Sequence, residues 1–160
     1  MIINQTVTNS EGQEIQLVYC EADPLKNLEG KVLRDVRVWS FYGDKFIIVN
    51  GPKKVWSPPG GGIEPGETIA DAIVRELQEE ANMEVLDQKI IGYQDIYAPD
   101  KIRRFVFLFA SVKPISDFVV DPDEDITEMK LIDPRDYKQY FDYDEIGNRV
   151  MSHAIELRYV

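Results

Sequence analysis

The chain predicts an α/β domain, a mixed β-sheet with helices packed on its faces, and three observations carry that expectation. β-prone segments outnumber helical ones, the longer helical segments fall in mid-chain and at the C-terminal end, and one strand is apolar on both sides. That strand is "RRFVFLFASV", where Phe105, Phe107 and Phe109 alternate with Val106, Leu108 and Ala110. A strand of this kind needs cover on both faces and belongs at the centre of the sheet.

The elements follow in order. "IINQTV" and "IQLVYC" are short β-prone runs joined by "TNSEGQE", whose Asn, Ser and Gly favour a turn, so a hairpin is expected. "EADPLKNLEG" reads as a loop, and "VLRDVRVWSFY" and "KFIIVN" form a second hairpin joined at "GD". After Trp56, "SPPGGGIEPGET" carries too many prolines and glycines for regular structure, and a helix is expected from about Thr68 to Asn82. Further strands are expected near "EVLDQKIIGYQDIY", in the phenylalanine segment, and near "ITEMKLI". "DPRDYKQYF" suits a short helix with Pro134 in its first turn. In "DEIGNRVMSHAIEL", Ile146, Val150, Ala154 and Leu157 recur at helical spacing, giving a C-terminal amphipathic helix.

At 160 residues, with 44% hydrophobic and 11% aromatic residues, the chain suits a single domain, residues 1–160, with a well-buried core. Its 18 basic and 29 acidic residues give a net charge of −11. That balance works against a polymeric nucleic acid and against an anionic membrane as partners. The lone cysteine, Cys20, is read as a core residue and forms no intrachain disulfide. The N-terminal "MIINQTVTNS" has no export signal and no segment reaches membrane-spanning length, so a reducing, cytoplasmic setting is expected. Oligomeric state stays open, with a homodimer among the alternatives.

Within the mid-chain helix, Thr68 suits the N-cap with Asp71 as the capping acid, and Asn82 suits the left-handed residue that ends it. Ile69, Ile73, Leu77 and Ala81 form an apolar stripe, with Asp71 and Gln78 opposite. Glu76, Glu79 and Glu80 lie along one border of that stripe, turned towards a cleft. Like charges three or four residues apart on a helix cost roughly 0.2–0.5 kcal/mol per pair. A hard cation such as Mg²⁺, which takes carboxylate oxygens and shares its ligands with phosphates, would turn that repulsion into attraction. The bland alternative is a solvated acidic face. Against it stand the glycine-rich loop just upstream, which lets backbone approach a pyrophosphate, and Arg75, which can pair with Glu67 to brace loop against helix.

From Gly61 to Met83 the chain reads "GGIEPGETIADAIVRELQEEANM", which resembles the Nudix box. Gly61, Glu67, Arg75, Glu76, Leu77, Glu79, Glu80 and Met83 fit its pattern; Asn82 stands where the family has its second glycine. "WSPPGG" resembles the family's lead-in. The resemblance implies an α/β/α sandwich around a mixed sheet. It also implies cleavage, dependent on Mg²⁺ or alternatively Mn²⁺, of the pyrophosphate bond in a nucleoside diphosphate linked to another group. The substrate would be a small nucleotide derivative: ADP-ribose, a nucleotide sugar, a dinucleoside polyphosphate or a modified nucleoside triphosphate.

By the same resemblance Glu76, Glu79 and Glu80 are metal ligands with the Gly61 carbonyl, and Glu67 with Arg75 organises the loop–helix junction. The general base is Glu76 first and Glu124 second, the latter from "DPDEDITE", which also offers Asp125 and Glu128. Lys53, Lys54, Arg103 and Arg104 are candidates for substrate phosphates or a terminal sugar, each weighed against an ordinary surface role. Tyr93, Tyr97 and Trp56 are candidates for stacking on a ring, and His153 is read as structural. Pro99, in "YAPD", either marks an ADP-ribose hydrolase or simply ends a strand. The rival reading is a non-catalytic module that senses a nucleotide.

Overall fold

Eight strands pair into one sheet in the computed structural model, which describes residues 1–52, 55–118 and 126–158. The strands are β1 (Ile2–Thr8), β2 (Glu14–Cys20), β3 (Lys31–Tyr42), β4 (Lys45–Asn50), β5 (Gly60–Gly62), β6 (Met83–Tyr97), β7 (Ile102–Pro114) and β8 (Glu128–Ile132). The helices are α1 (Ile69–Ala81) and α2 (Asp144–Arg158), with a 3-10 turn over Pro134–Gln139. Across the sheet the order is β1-β2-β6-β7-β3-β4-β8, with β5 on the flank of β3. The pairing of β3 with β7 is parallel and the other strand pairs are antiparallel, so the sheet is mixed.

The phenylalanine strand is β7, at the middle of that order, and its alternation sorts the two faces. Val106, Leu108 and Ala110 join Val36 and Val38 of β3 beneath Ile73 and Leu77 of α1. Phe107 and Phe109 join Trp39 and Phe41 on the opposite face, beneath Ile146 and Val150 of α2. Each fully buried Val, Leu, Ile or Phe side chain stabilises the fold by about 1.5–3 kcal/mol relative to exposure. The result is the α/β/α sandwich that the sequence predicts, with Leu157 of the α2 stripe only partly buried. Both hairpins form, although β3 and β4 pair only at their tips, Phe41 with Phe46 and Tyr42 with Lys45.

Two expectations are corrected. "SPPGGGIEPGET" is not wholly irregular, because its three glycines form β5, antiparallel to Asp35–Arg37. Glycine is what permits this: a Cβ on Gly60 would stand 2.3 Å from the Val36 carbonyl oxygen, so any side chain would push the strand off β3. Cys20 is half-buried at the end of β2, not a core residue.

Candidate active site

Helix α1 is set by its caps. Thr68 accepts from the Asp71 backbone N–H at 3.0 Å while Asp71 accepts from Thr68 N–H at 3.4 Å, the reciprocal capping box. At the other end Asn82 is left-handed, φ 55° and ψ 42°. Its side-chain amide also donates to the Ser116 hydroxyl at 2.7 Å and to the Ser116 and Asp117 carbonyls, which a glycine could not do. Asparagine therefore keeps the turn and ties the helix end to the segment after β7.

Between these caps the helix turns Glu76 and Glu80 inward. They are 7% and 8% exposed, and both meet β5. Gly60 N–H donates to Glu80 Oε1 at 2.9 Å, and the Glu76 carboxylate packs so closely on Gly61 that a Cβ there would lie 2.3 Å from Oε1. Burial pushes the Glu80 carboxyl up to about 8, and the adjacent Glu76 adds to the rise, against the Gly60 N–H and the Arg37 charge that oppose it.

Arg75 braces this pair from outside. Its Nε and Nη2 hold the two oxygens of Glu67 at 2.8 and 2.9 Å, and Nη2 also donates to the Gly62 carbonyl at 2.8 Å. Nη1 donates to Glu76 at 2.9 Å and reaches Glu79 at 3.4 Å. The fork of Arg75, helped by the Glu64 N–H, holds the Glu67 carboxyl down to about 2. One guanidinium thus ties loop, β5 and helix together, as the spacing of Glu67 and Arg75 implies.

The structure therefore gathers Gly61, Glu67, Arg75, Glu76 and Glu80. Glu79 stands at the exposed rim of the same cluster, 3.4 Å from the Arg75 nitrogen that donates to Glu76. Among the described residues no three Asp, Glu, His or Cys side chains are drawn together tightly enough to hold an ion. The chemistry of the gathered pair still suits a hard cation: two desolvated carboxyls, one strongly raised, beside a strand of glycines that lets backbone carbonyls approach.

Other expected residues are placed elsewhere. Arg104 is fully buried, and all five of its N–H donors are engaged inside the protein. It grips Asp95 at 2.8 and 3.0 Å, donates to the carbonyls of Pro24, Lys26 and Asn27, and lies 3.7 Å above the Tyr93 ring. Neither Arg104 nor the face of Tyr93 is left for a substrate. Arg103 pairs with Asp100 at 3.3 Å, Tyr97 is exposed at the end of β6, and Pro99 follows that strand end. Trp56 meets Tyr140 edge-on, with Lys130 above both rings. His153 lies 3.3 Å from Glu21, beside the ion pair that Glu21 makes with Arg149. Glu128 opens β8, while Lys53, Lys54, Glu124 and Asp125 lie outside the described residues.

Sequence reasoning missed Arg37 and the cavity beside it. Arg37 pairs with Gly60 across β3 and β5, donates to the Pro58 carbonyl at 3.1 Å, and lines a cavity of about 290 Å³ between the sheet and the start of α2. Trp39, Phe105, Phe107 and Tyr143 contribute its aromatic walls, and Gln5 and Gln94 its amides. Burial raises the Tyr143 phenol, and the Arg37 charge offsets part of that, so Arg37 acts on Tyr143 on one side and on Glu80 on the other. The available signal was an arginine two residues before Trp39, on the strand face that carries Trp39 and Phe41.

The NUDIX domain matches residues 33–154, and the chain belongs to this family. It is similar to Phosphatase NudJ of Escherichia coli (strain K12), 40% identical over 70 residues, a match that covers 41% of this chain and 45% of that protein; the chain therefore spans less than half the length of this relative. Its fold is similar to that of a mutant of the Bacillus subtilis pyrophosphohydrolase BsRppH, with TM-score 0.72 and 17% identity over 96% of this chain and 97% of that one. The mutator MutT protein from Bacillus halodurans is a further structural neighbour, TM-score 0.59 and 16% identical, covering 76% and 81% of the two chains.

Proposed function

We propose that this chain hydrolyses the pyrophosphate bond of a nucleoside diphosphate linked to another moiety, with Mg²⁺ as the cation. The observation that carries the reading is the desolvated Glu76–Glu80 pair, seated on Gly60 and Gly61 and braced by Arg75 against Glu67. Family membership and the names of the relatives, a phosphatase and a pyrophosphohydrolase, support it. Glu76 and Glu80, joined by Glu79 and the Gly61 carbonyl, would hold the ion. When bound, Mg²⁺ neutralises charge on phosphate oxygens and lowers the pKa of a water.

The chain's own groups do the rest. A carboxylate, Glu76 first and Glu124 as the alternative, takes a proton from the attacking water as its oxygen bonds to phosphorus. The P–O bond to the second phosphate breaks, leaving a nucleoside monophosphate and a phosphorylated second product. Arg75 keeps Glu76 oriented. The test is product chromatography with ADP-ribose, nucleotide sugars, dinucleoside polyphosphates and oxidised nucleoside triphosphates, with Mg²⁺ or EDTA, on wild type and Glu80→Gln. Mg²⁺-dependent cleavage lost in the variant is the expected result. Tight nucleotide binding with no turnover in any lane would move the chain to the sensor reading.

A further inference from the structure

The two ends of the sheet are finished differently. β8 closes one end with five residues that include Glu128 and Lys130, and charges on an edge strand hinder its pairing with another chain. β1 closes the other end with seven residues, IINQTVT, and carries neither a charge nor a proline. A longer, uncharged edge is a template for one more strand.

The bonding pattern shows which groups this edge offers. Glu21 N–H donates to the Met1 carbonyl at 3.1 Å and Asn9 N–H to the Gln13 carbonyl at 2.9 Å, both in the register that β1 keeps with β2. Bonded and non-bonded residues alternate along an antiparallel pair, so Ile3, Gln5 and Val7 turn their N–H and C=O groups towards β2. Ile2, Asn4, Thr6 and Thr8 turn theirs outward, where no described strand receives them. All four residues are exposed, Ile2 at 65% beside Met1 at 63%.

A second copy of the same strand fits these groups. Turned about a two-fold axis through Gln5, β1 sets Ile2 against Thr8 and Asn4 against Thr6, and each of these pairs exchanges both backbone bonds. Ile3 then faces Val7 on the α2 side of the sheet, and no charge meets a like charge. That last point selects the partner. With a net charge of −11, two copies repel wherever their carboxylates meet, and β1 is the sheet edge that carries none. Glu21, next to Met1 across the pair, is already matched by Arg149.

We propose that β1 of one copy pairs antiparallel with β1 of a second, two-fold about Gln5, and joins two sheets into one across a homodimer. The contact adjoins the cavity, because Gln5 and Val7 line it. It uses none of the carboxylates of the candidate active site, so it stands or falls separately from the hydrolase reading.

Sedimentation velocity on the full chain, over a dilution series from about 1 μM to about 1 mM, reads the assembly directly. The expected result is a species of twice the chain mass of 18.4 kDa that dissociates on dilution. Asn4→Lys combined with Thr6→Lys sets lysine against lysine across the axis and should leave a monomer, even though each copy becomes less negative overall. Both side chains are exposed, and a melting temperature matching that of dilute wild type shows that the double variant keeps its fold. Gln5→Cys in a Cys20→Ser background reports the register. Gln5 meets itself at a Cα separation of about 4.5 Å, short enough for a disulfide across the axis, whereas Thr8→Cys in the same background faces Ile2 and should not link to itself. A monomer throughout the series, a dimer that survives the double substitution, or a dimer that Gln5→Cys does not crosslink overturns the proposal.

Discussion

Arg75 and Arg104 both grip a carboxylate with a two-pronged fork, and they serve opposite ends. Arg104 is sealed in the sheet, with Asp95 on one side and three carbonyls of the segment after β2 on the other, and Lys31 adds a second cation to Asp95 at 2.9 Å. Arg75 lies at the rim, with Glu67, Glu76 and Glu79 around it. A buried charge must be fully matched, so Arg104 is spent on the fold. Arg75 is 22% exposed, so water screens it only in part, and it serves the site as well as the fold by orienting carboxylates.

The sharpest way to break this contrast is to remove each arginine. Arg104→Met leaves Asp95 short of its fork and three carbonyls without donors, and should cost about 3–5 kcal/mol, seen as a melting temperature lower by roughly 10 °C. Next in size, Gly60→Ala forces β5 away from Val36 and should cost about 1–3 kcal/mol by urea unfolding, with turnover falling as the Gly60 N–H leaves Glu80. Arg75→Ala should cost less stability than Arg104→Met, about 1–3 kcal/mol by urea unfolding, while turnover on the best substrate drops about 10- to 100-fold. Equal losses of stability in the two arginine variants would end the contrast.

A third fork sharpens it. Arg149 of α2 holds both oxygens of Glu21 at 2.8 Å, with Tyr19 O–H on the same carboxyl. Arg149 is the main reason that Glu21 sits at about 2 rather than near 4.5. Between those values the unfolded chain binds the proton and the folded one does not, so stability rises with pH. The contribution is complete above about pH 4.5 and is lost as pH falls towards 2. Urea midpoints across that window should therefore fall more steeply in wild type than in Glu21→Gln. The smallest effect belongs to Asn82→Gly, which keeps the left-handed turn but gives up the amide bonds to Ser116 and Asp117, a cost below about 1.5 kcal/mol by chemical denaturation.

The same arginines show what a sequence can carry. Arg75, Glu67 and the capping residues Thr68, Asp71 and Asn82 act over one helix and its loop, so spacing along the chain is spacing in space. The apolar alternation of β7 likewise placed that strand at the centre, because period two survives in any register. From sequence alone Arg104 is a candidate phosphate contact weighed against a surface role, and neither holds, because its partners include Pro24, Lys26 and Asn27, which no local pattern joins to it. β5 escaped because its pairing depends on missing side chains at Gly60 and Gly61, an absence that reads locally as a loop. The cavity escaped for a similar reason: Arg37, Phe105 and Tyr143 meet only once β3, β7 and α2 are assembled.

The parallel register between β3 and β7 also governs the order in which the molecule can form. β1 with β2 and β6 with β7 are joined by short connections and can pair early, but Lys31 meets Ile102 only after about 70 residues have been looped back. That loop contains β5 and the whole of α1. Closing so long a span is entropically costly and slows folding, so the step that joins β3 to β7 is expected to limit the rate. Helix α1 has its packing floor, Val36, Val38, Val106 and Leu108, only once that step is complete. Glu76 and Glu80, one turn apart on α1, would then be taken out of water last, and a newly made chain would leave its carboxylates solvated until the rest of the sheet is secure.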